Sequence, residues 1–246
     1  MGYHESLTEG RNAVLEAFRS GKTVDRLFVL DGCQDGPVKT ILREAKKQDT
    51  MVQYVKKERL DQLSETKNHQ GVIAYCAACE YAEVSDILEN AKKKGEAPFI
   101  VLLDGIEDPH NLGAIIRTAN QAGAHGVIIP KRRAVGLTAT VARTSAGAVN
   151  YTPVAKVTNL VTVMEDLKKE GMWFVCADMD GEEMYSLNLK GPIGLVIGNE
   201  GEGVSRLVKE HCDMVASIPM KGDIDSLNAS VAMGVLAYEI VRKRRF

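Results

Sequence analysis

The sequence predicts a two-domain α/β protein whose larger, C-terminal part is a mostly parallel sheet with helices on both faces. From residue 98 onwards, short apolar runs alternate with amphipathic segments, which is typical of strands buried on both sides. A shorter alternation of the same kind fills residues 1–80. Residues 81–97 are highly polar and contain no strand-like run. We therefore predict a small domain at 1–80, a linker at 81–97 and a second domain at 98–246.

The first 80 residues are predicted to form a layered sheet with helices, because strand-like and helix-like segments alternate along them. In chain order the segments are helix Asn12–Phe18, strand Arg26–Leu30, helix Pro37–Lys47, strand Val52–Val55, helix Lys56–Leu63 and strand Gln70–Cys76. The linker carries one short predicted helix, Val84–Lys93.

The C-terminal domain is predicted to alternate strand and helix almost to its end. Its predicted strands are Phe99–Leu103, Gly126–Ile129, Val154–Val157, Trp173–Ala177, Ile193–Ile197 and Val215–Ile218. Its predicted helices are Leu112–Ala122, Thr138–Val149, Leu160–Lys169, Ser205–Glu210 and Leu227–Arg242.

The composition is that of an ordinary globular protein. Of 246 residues, 45% are hydrophobic and 26% are charged, and no apolar run is long enough to span a bilayer. The N-terminus lacks the basic-then-apolar layout of a signal peptide, so we expect a cytoplasmic protein without membrane partners.

The net charge of −2 gives no indication of a nucleic-acid partner. Basic residues nevertheless form three local runs, Lys92–Lys94, Lys131–Arg133 and Arg242–Arg245. Each run alone is more typical of a solvated face or tail. Together they could build a surface that attracts phosphate.

Cysteine and histidine spacing argues against a disulfide framework and against a metal site. The five cysteines are odd in number and scattered. The one CxxC pair, Cys76 and Cys79, has no second pair or suitably spaced histidines, and it ends a strand-like run where a redox motif would open a helix. We expect ordinary thiols and no metal.

Three unusual loops follow predicted strands, and ligands of parallel sheets bind outside the carboxyl ends of strands. The first loop leads into a helix with Asn111 as a credible N-cap, and Arg117 lies off the apolar stripe of that helix. The second loop is the glycine-rich stretch Gly198–Gly203, with Glu200 held at a strand end. Taken singly, these features are equally typical of a structural cap, a surface arginine and a solvated turn.

The third loop ends where Ser226, Leu227 and Asn228 open the last helix. Ser226 is a credible N-cap, and the free N–H groups of a helix start can also face a ligand. The helix that follows carries two apolar stripes, which require two covers. The stripes are Leu227, Val231, Val235 and Tyr238 on one side, and Ala229, Met233, Leu236 and Ile240 on the other. The second cover is either a partner subunit or the domain itself.

In order and spacing, the three loops resemble the three motifs of the SpoU branch of the SPOUT methyltransferase superfamily. The matching segments are DGIEDPHNLGAIIRTA, IGNEGEGVS and IPMKGDIDSLNASVA, so the resemblance covers about residues 99–246. EGRNAVLEA near the N-terminus and HQGVIA resemble the substrate-binding domain of the bacterial rRNA guanosine-2′-O-methyltransferase group.

The resemblance implies a trefoil knot in the C-terminal domain, a homodimer formed through the last helix, and S-adenosylmethionine as cofactor. The activity it implies is methyl transfer to the ribose 2′-hydroxyl of a guanosine in 23S ribosomal RNA of the large subunit. The implied cofactor-binding residues are Gly198, Asn199, Ile218, Met220 and Leu227. The implied catalytic residues are Asn111, Arg117, Glu200, Ser226 and Asn228.

The family places Arg117 at the reacting hydroxyl, which needs a proton acceptor because it is a poor nucleophile at neutral pH. Arginine is almost always charged, so Arg117 either acts as an unusual base or steers the ribose and its phosphate. Asn111 would orient Arg117 or the ribose, and Glu200 would hold Asn111 by accepting hydrogen bonds. Ser226 and Asn228 would shape the third loop.

Three alternatives stay open at this point. A tRNA ribose 2′-O-methyltransferase would use the same chemistry, although the substantial N-terminal domain favours rRNA. A non-catalytic RNA-binding assembly factor would lack the motif residues that are intact here. A dinucleotide-binding oxidoreductase would carry a GxGxxG fingerprint, which this chain lacks.

Overall fold

A computed structural model describes residues 6–223 and 226–246. Residues 1–5 of the predicted first domain and positions 224–225 of the third motif lie outside the described residues. The chain divides into two compact units. The first contains residues 1–80 together with 136–139, and the second contains 81–135 and 140–246. None of the described helices is long and apolar enough to cross a membrane.

The first unit is a four-stranded mixed sheet in the order β1-β4-β2-β3. Its strands are β1 (Ser6–Glu9), β2 (Val24–Leu30), β3 (Met51–Val55) and β4 (Val72–Cys76), and its helices are α1 (Arg11–Arg19), α2 (Gly36–Lys47) and α3 (Lys57–Leu63). β2 pairs parallel with β3 and antiparallel with β4. The short edge strand β1 is absent from the sequence prediction.

Helices cover both faces of this sheet. Apolar side chains of α1 and α2, among them Phe18 and Ile41, share one core with β2 and β4, while Leu60 of α3 packs with Phe28 and Ile73 on the opposite face. The α/β class predicted for this part of the chain is therefore confirmed.

The second unit is a six-stranded, wholly parallel sheet in the order β10-β8-β9-β5-β6-β7. Its strands are β5 (Phe99–Asp104), β6 (Gly126–Pro130), β7 (Val154–Val157), β8 (Trp173–Glu183), β9 (Ile193–Gly198) and β10 (Met214–Ser217). Its helices are α4 (Val84–Lys94), α5 (Pro109–Gln121), α6 (Ala139–Thr144), α7 (Leu160–Lys169), α8 (Arg206–Glu210) and α9 (Ala229–Arg245).

The centre of this sheet is shielded from solvent, because β9 is buried along its whole length and β5 is buried up to Asp104. Alternate residues of β5, Ile100 and Leu102, share a core cluster with side chains of α4, α7 and α8. Helices α5 and α9 pack against each other and against strands β6, β8 and β9. The predicted parallel sheet with helices on both faces is confirmed, whereas the trefoil knot stays a prediction.

The structure corrects two predicted helix starts. α5 begins at Pro109 with Asp108 as its N-cap, whose side chain accepts from the His110 N–H, so Asn111 is not the cap. The last helix begins at Ala229 with Asn228 as its N-cap, so Ser226 is not the cap either. In α5, Pro at the first helical position has no N–H to satisfy, which favours a start there.

The lengths of one strand and one helix, and the place of the predicted linker, also differ from the sequence prediction. β8 runs on to Glu183, because β10 pairs with its far end as well as with its start. The predicted helix 138–149 is a short α6 followed by a 3-10 turn, Ala148–Asn150. The predicted linker contains α4, and Ile87 and Ala91 on its inner face are buried in the second unit.

Candidate active site at the carboxyl edge of the parallel sheet

Two of the three motif loops leave the sheet side by side. β5 and β9 are neighbouring parallel strands whose register pairs Asp104 with Gly198, so the loops that follow begin at the same edge. Gly105 adopts a left-handed conformation with φ +83°, and an added Cβ would lie 3.0 Å from Asn199 Nδ2. Ser205 N donates to Asp104 Oδ2 at 2.8 Å and ties the far end of the second loop to β5.

Three motif side chains meet at this edge. Asn111 Nδ2 donates a hydrogen bond to Glu200 Oε1. Asn228 Nδ2 donates to Asn111 Oδ1 at 3.0 Å and lies 3.4 Å from Glu200 Oε1. One carboxylate therefore accepts from two amides that come from different helices. We call these three residues the amide–carboxylate network.

The two helix starts place the asparagines. Asp108 caps α5, so the Asn111 side chain is free to turn towards Glu200, and it is 8% exposed. Asn228 caps α9, with Oδ1 accepting from Ser230 N at 3.0 Å and from Ser230 Oγ at 2.6 Å. The cap uses the oxygen of Asn228 and leaves its Nδ2 for the network.

A pocket of about 740 Å³ opens beside the network. This volume is in the range of small-molecule and cofactor sites. It is lined by the end of β8, the loop after β9, the end of β10 with its loop, and the start of α9. The lining includes all five residues predicted to hold the cofactor, namely Gly198, Asn199, Ile218, Met220 and Leu227. Glu200 and Ser226 also line it.

The floor of the pocket is a tightly folded glycine loop. A Cβ on Gly198 would lie 2.0 Å from the carbonyl carbon of Gly203, so the loop folds back onto the end of β9. Asn199 Oδ1 accepts from Gly201 N at 2.9 Å and Glu202 N at 2.6 Å and stabilises this turn. Glycine at position 198 is required by this close approach of backbone.

The lining on the β8 side is acidic, and it was missed by sequence reasoning. Asp178, midway along β8, and Glu183, at its end, line the pocket together with Glu200 and Glu202. Asp178 Oδ2 lies 2.7 Å from Lys209 Nζ. Burial raises the pKa of Asp178, but the hydrogen bond and charge of Lys209, together with backbone hydrogen bonds from Asp180 and Met179, outweigh burial and hold that pKa below its usual value. The run of acids after Ala177 is the signal that could have indicated this wall.

Arg117 is not part of the network. It is exposed, and across the described residues its guanidinium has no hydrogen bond or ion pair. It follows Asn111 by six residues on α5, about one and two-thirds turns, so the two side chains leave different faces of the helix. The contact between Asn111 and Arg117 that one hypothesis requires is absent, because Asn111 bonds Glu200 instead.

The arrangement suits binding and positioning of an organic ligand. A concave, partly apolar pocket meets a fixed set of amide and carboxylate groups at a helix start, the usual form of a cofactor or substrate site. In the described parts of the chain, no group of three or more His, Cys, Asp or Glu residues is arranged to hold a metal ion.

Both parts of the chain match known families. Residues 98–238 match the family described as SpoU rRNA Methylase. Residues 7–82 match the domain described as RNA 2′-O ribose methyltransferase substrate binding.

Relatives match over nearly the whole length. The chain is 49% identical over 237 residues to YacO of Bacillus subtilis (strain 168), whose name assigns it to the TrmH family of tRNA/rRNA methyltransferases, and the match covers 96% of this chain and 94% of YacO.

Two solved structures share the fold. The SpoU methyltransferase AviRb from Streptomyces viridochromogenes, in complex with AdoMet, has 27% identity and a TM-score of 0.61, and the match covers 97% of this chain and 90% of AviRb. An AdoMet-bound rRNA methyltransferase from Sinorhizobium meliloti has 25% identity and a TM-score of 0.61, covering 97% and 87%.

Proposed function

This chain belongs to the SpoU family of RNA ribose 2′-O-methyltransferases, and we propose that it methylates a guanosine ribose in 23S ribosomal RNA, with S-adenosylmethionine as methyl donor. Such a substrate implies a cytoplasmic enzyme. The observation that carries the proposal is the hydrogen-bonded network of Asn111, Glu200 and Asn228 at the rim of a cofactor-sized pocket.

The pocket fits S-adenosylmethionine in size and in charge. The cofactor carries a positive sulfonium, and Asp178, Glu183 and Glu202 give the pocket an acidic lining. Gly198 lets backbone approach closely, and Leu227 and Met220 supply exposed apolar surface for the adenine or the methylene groups. Gly198, Asn199, Ile218, Met220 and Leu227 would hold the cofactor, and when bound it supplies an electrophilic methyl group.

The protein must then hold the ribose hydroxyl in line with that methyl group and take its proton. The network fixes the Asn111 amide between Glu200 and Asn228, which makes it a rigid positioning group for the ribose. Ser226, in the pocket wall next to this edge, would shape the third loop around the substrate.

Arg117 would act on the RNA from the exposed side of α5. Because its guanidinium has no protein partner among the described residues, it is available to bind the ribose phosphate and to orient the attacking oxygen. This steering role needs no neutral arginine, so we favour it over the role of general base.

A homodimer through α9 is part of the proposal. Ala229, Met233, Leu236 and Ile240 are buried, while on the other stripe Val231 is 49% and Tyr238 51% exposed. An apolar stripe that its own unit leaves open is typical of an interface. A second copy of the chain is the occupant that the family resemblance implies.

The choice of rRNA over tRNA rests on chain length and domain content. The S. meliloti rRNA methyltransferase aligns with 97% of this chain, including the N-terminal unit, and residues 7–82 match a substrate-binding domain. The name of YacO leaves both RNA classes open, so tRNA is the alternative that the experiment must separate.

The test is tritium transfer from labelled S-adenosylmethionine to rRNA and tRNA from cells that lack the gene. We expect label in 23S rRNA, at one guanosine ribose that resists alkaline cleavage. Label in tRNA alone would overturn the substrate assignment and leave the chemistry intact.

A second measurement separates an enzyme from an RNA-binding assembly factor. Arg117→Ala should lower methyl transfer by about a hundredfold while S-adenosylmethionine affinity is unchanged, because Arg117 is outside the pocket lining. Arg117→Lys retains the positive charge but not the paired donors of the guanidinium, so its rate should lie between those of Arg117→Ala and wild type. No methyl transfer by the wild-type protein to either RNA would favour the assembly factor.

A further inference from the structure

Charge is distributed unequally along the carboxyl edge of the second sheet. β8 and β9 lie on one side of β5, and β6 lies on the other. The second half of β8 and the loop after β9 carry acids that line the pocket, including Asp178, Glu200 and Glu202. The loop after β6 opens with three consecutive cations, Lys131–Arg133. The amide–carboxylate network therefore lies between an acidic side and a basic side.

The basic loop is anchored at both ends, at one end to the edge strand β7 and at the other to the first motif loop. Lys131 N donates to Val157 O at the end of β7 at 2.8 Å, and Val135 N donates to Ile106 O in the first motif loop at 3.0 Å. Between these anchors Arg132 and Arg133 are exposed, and within residues 6–223 and 226–246 neither has an ion pair. Arg133 has φ +54°, a conformation that non-glycine residues rarely adopt and that the anchored loop holds in place.

A fourth cation lies on α6, which packs against α5 beside the first motif loop. The α6 residue Thr144 packs directly on α5, where a Cβ on Gly113 would lie 1.8 Å from Thr144 Oγ1. Thr144 Oγ1 is also 3.3 Å from Pro109 O at the start of α5. The neighbouring Arg143 is exposed, and its guanidinium donates to the neutral Thr140 hydroxyl at 3.1 Å.

The other two basic runs do not reach this edge. Lys92–Lys94 end α4 a few residues before β5 begins, so they lie at the amino edge of the sheet. Arg242 pairs with Glu239 at 2.7 Å, and Arg244 donates to the Pro98 carbonyl at 2.8 Å, so both are engaged with the protein at or near that edge.

We propose that Arg132, Arg133 and Arg143, which we call the arginine rim, bind the phosphates of the RNA strand beside the target nucleotide. Arginine presents a donor fork that matches phosphate oxygens. Of the acids in the intervening loop, Asp108 is occupied as a helix cap, which leaves the exposed Glu107 to face solvent. This inference rests on the proposed function for its substrate class and adds the surface that holds that substrate.

The test compares two triple variants that lose the same charge. Arg132→Gln/Arg133→Gln/Arg143→Gln removes the rim, and Lys92→Gln/Lys93→Gln/Lys94→Gln removes three cations at the amino edge. The affinity of each full-length protein for 23S rRNA transcribed in vitro is measured between about 50 and 200 mM KCl. A third variant with lysine at the three rim positions retains the charge.

Each phosphate contact contributes about 0.7–0.9 to the slope of log affinity against log salt. The rim variant should therefore lose about 2 from the slope and bind RNA about tenfold or more weakly, while the lysine variant and the amino-edge variant retain the wild-type slope. S-adenosylmethionine affinity, measured by calorimetry, should be unchanged in all of them, which also shows that the pocket is folded.

Three results would overturn the proposal. The rim variant could retain the wild-type salt slope, or the amino-edge variant could lose as much of that slope as the rim variant does. The rim variant could also lose affinity for S-adenosylmethionine. Failure of the proposed function looks different. In that case the wild-type protein transfers no methyl group to RNA, yet RNA binding still depends on the rim.

Discussion

At the scale of single residues, the site depends on what Glu200 accepts. The carboxylate takes one hydrogen bond from Asn111 and is 3.4 Å from the amide of Asn228. Bonds to a charged acceptor are stronger than bonds between neutral groups, about 1.5–3 kcal/mol each. Glu200 therefore fixes the starts of α5 and α9 relative to the end of β9. A shift of Glu200 would displace the groups that position the ribose.

Glu200→Ala should lower the rate of methyl transfer by about a hundredfold, because both asparagines lose their common acceptor. Glu200→Gln retains one acceptor oxygen and should stay within about tenfold of wild type. Single-turnover kinetics measure both. Glu107→Ala, an exposed acid of the neighbouring loop, is the control and should change the rate far less. Equal rates for Glu200→Ala and wild type would remove Glu200 from the site.

Gly198 sets the second residue-scale prediction, since a Cβ there has no space. Gly198→Ala should destabilise the fold by about 1–3 kcal/mol and abolish cofactor binding, because the loop back to Gly203 must open. In Gly201→Ala the added Cβ meets its nearest atom, Asn199 Oδ1, at 3.7 Å, which is ordinary contact. Thermal melts with and without S-adenosylmethionine test the pair. Equal cofactor-induced shifts in both variants would contradict the assigned pocket.

At the scale of the element, α9 serves two surfaces with one helix. Its N-cap Asn228 joins the network, and Met233 and Leu236 on its inner stripe are fully or almost fully buried. Val231 and Tyr238 on its outer stripe are about half exposed. The start of α9 belongs to the site and its outer face is apolar. In the homodimer that we propose, α9 therefore connects the site to the dimer interface.

Val231→Glu combined with Tyr238→Glu should convert a dimer into a monomer, because two charges would be buried without partners. Light scattering coupled to size exclusion measures the mass. Trp173→Glu changes an apolar residue that is 58% exposed at the start of β8 and should leave the dimer intact. A monomeric wild-type protein, or dissociation by Trp173→Glu as well, would exclude the α9 interface.

At the scale of the whole molecule, acid sensitivity follows from a buried histidine in the second unit. His125 is fully buried, with Nδ1 accepting from Phe99 N at 3.0 Å and Nε2 3.1 Å from Glu96 Oε2. Burial lowers the pKa of the imidazole, and the hydrogen bond with Glu96 opposes this only in part. The folded protein therefore binds a proton at this site less readily than the unfolded chain does.

The stability contributed by neutral His125 is fully present above the unfolded pKa of about 6.5 and is lost as the pH falls towards the lower folded value. The midpoint temperature of thermal unfolding should therefore decrease as the pH is lowered from about 7.5 to about 5.5. His125→Asn, which retains an acceptor for Phe99 N, should lose less over the same interval. An unchanged pH dependence in the variant would show that other groups dominate.

Much of the fold was predictable from the sequence, because the spacing of apolar residues reflects which faces of each helix and strand are buried. Val101 and Leu195 belong to continuous apolar runs, which indicated strands covered on both sides. Local capping rules were less decisive. Asn111 and Ser226 are both good cap residues, yet Asp108 and Asn228 take the caps, since only the packed helices decide where each first turn begins.

The sequence by itself determined the strand and helix pattern, the three motif loops and the residue types from which the site is built. Only the tertiary structure decided that Asn111 and Glu200, 89 positions apart, share a hydrogen bond, and that Asn228, 117 positions from Asn111, completes it. It also decided which of the three basic runs lies at the site. The physical reason is that periodicity reports how each segment is buried, whereas strand order and register fix which segments are neighbours.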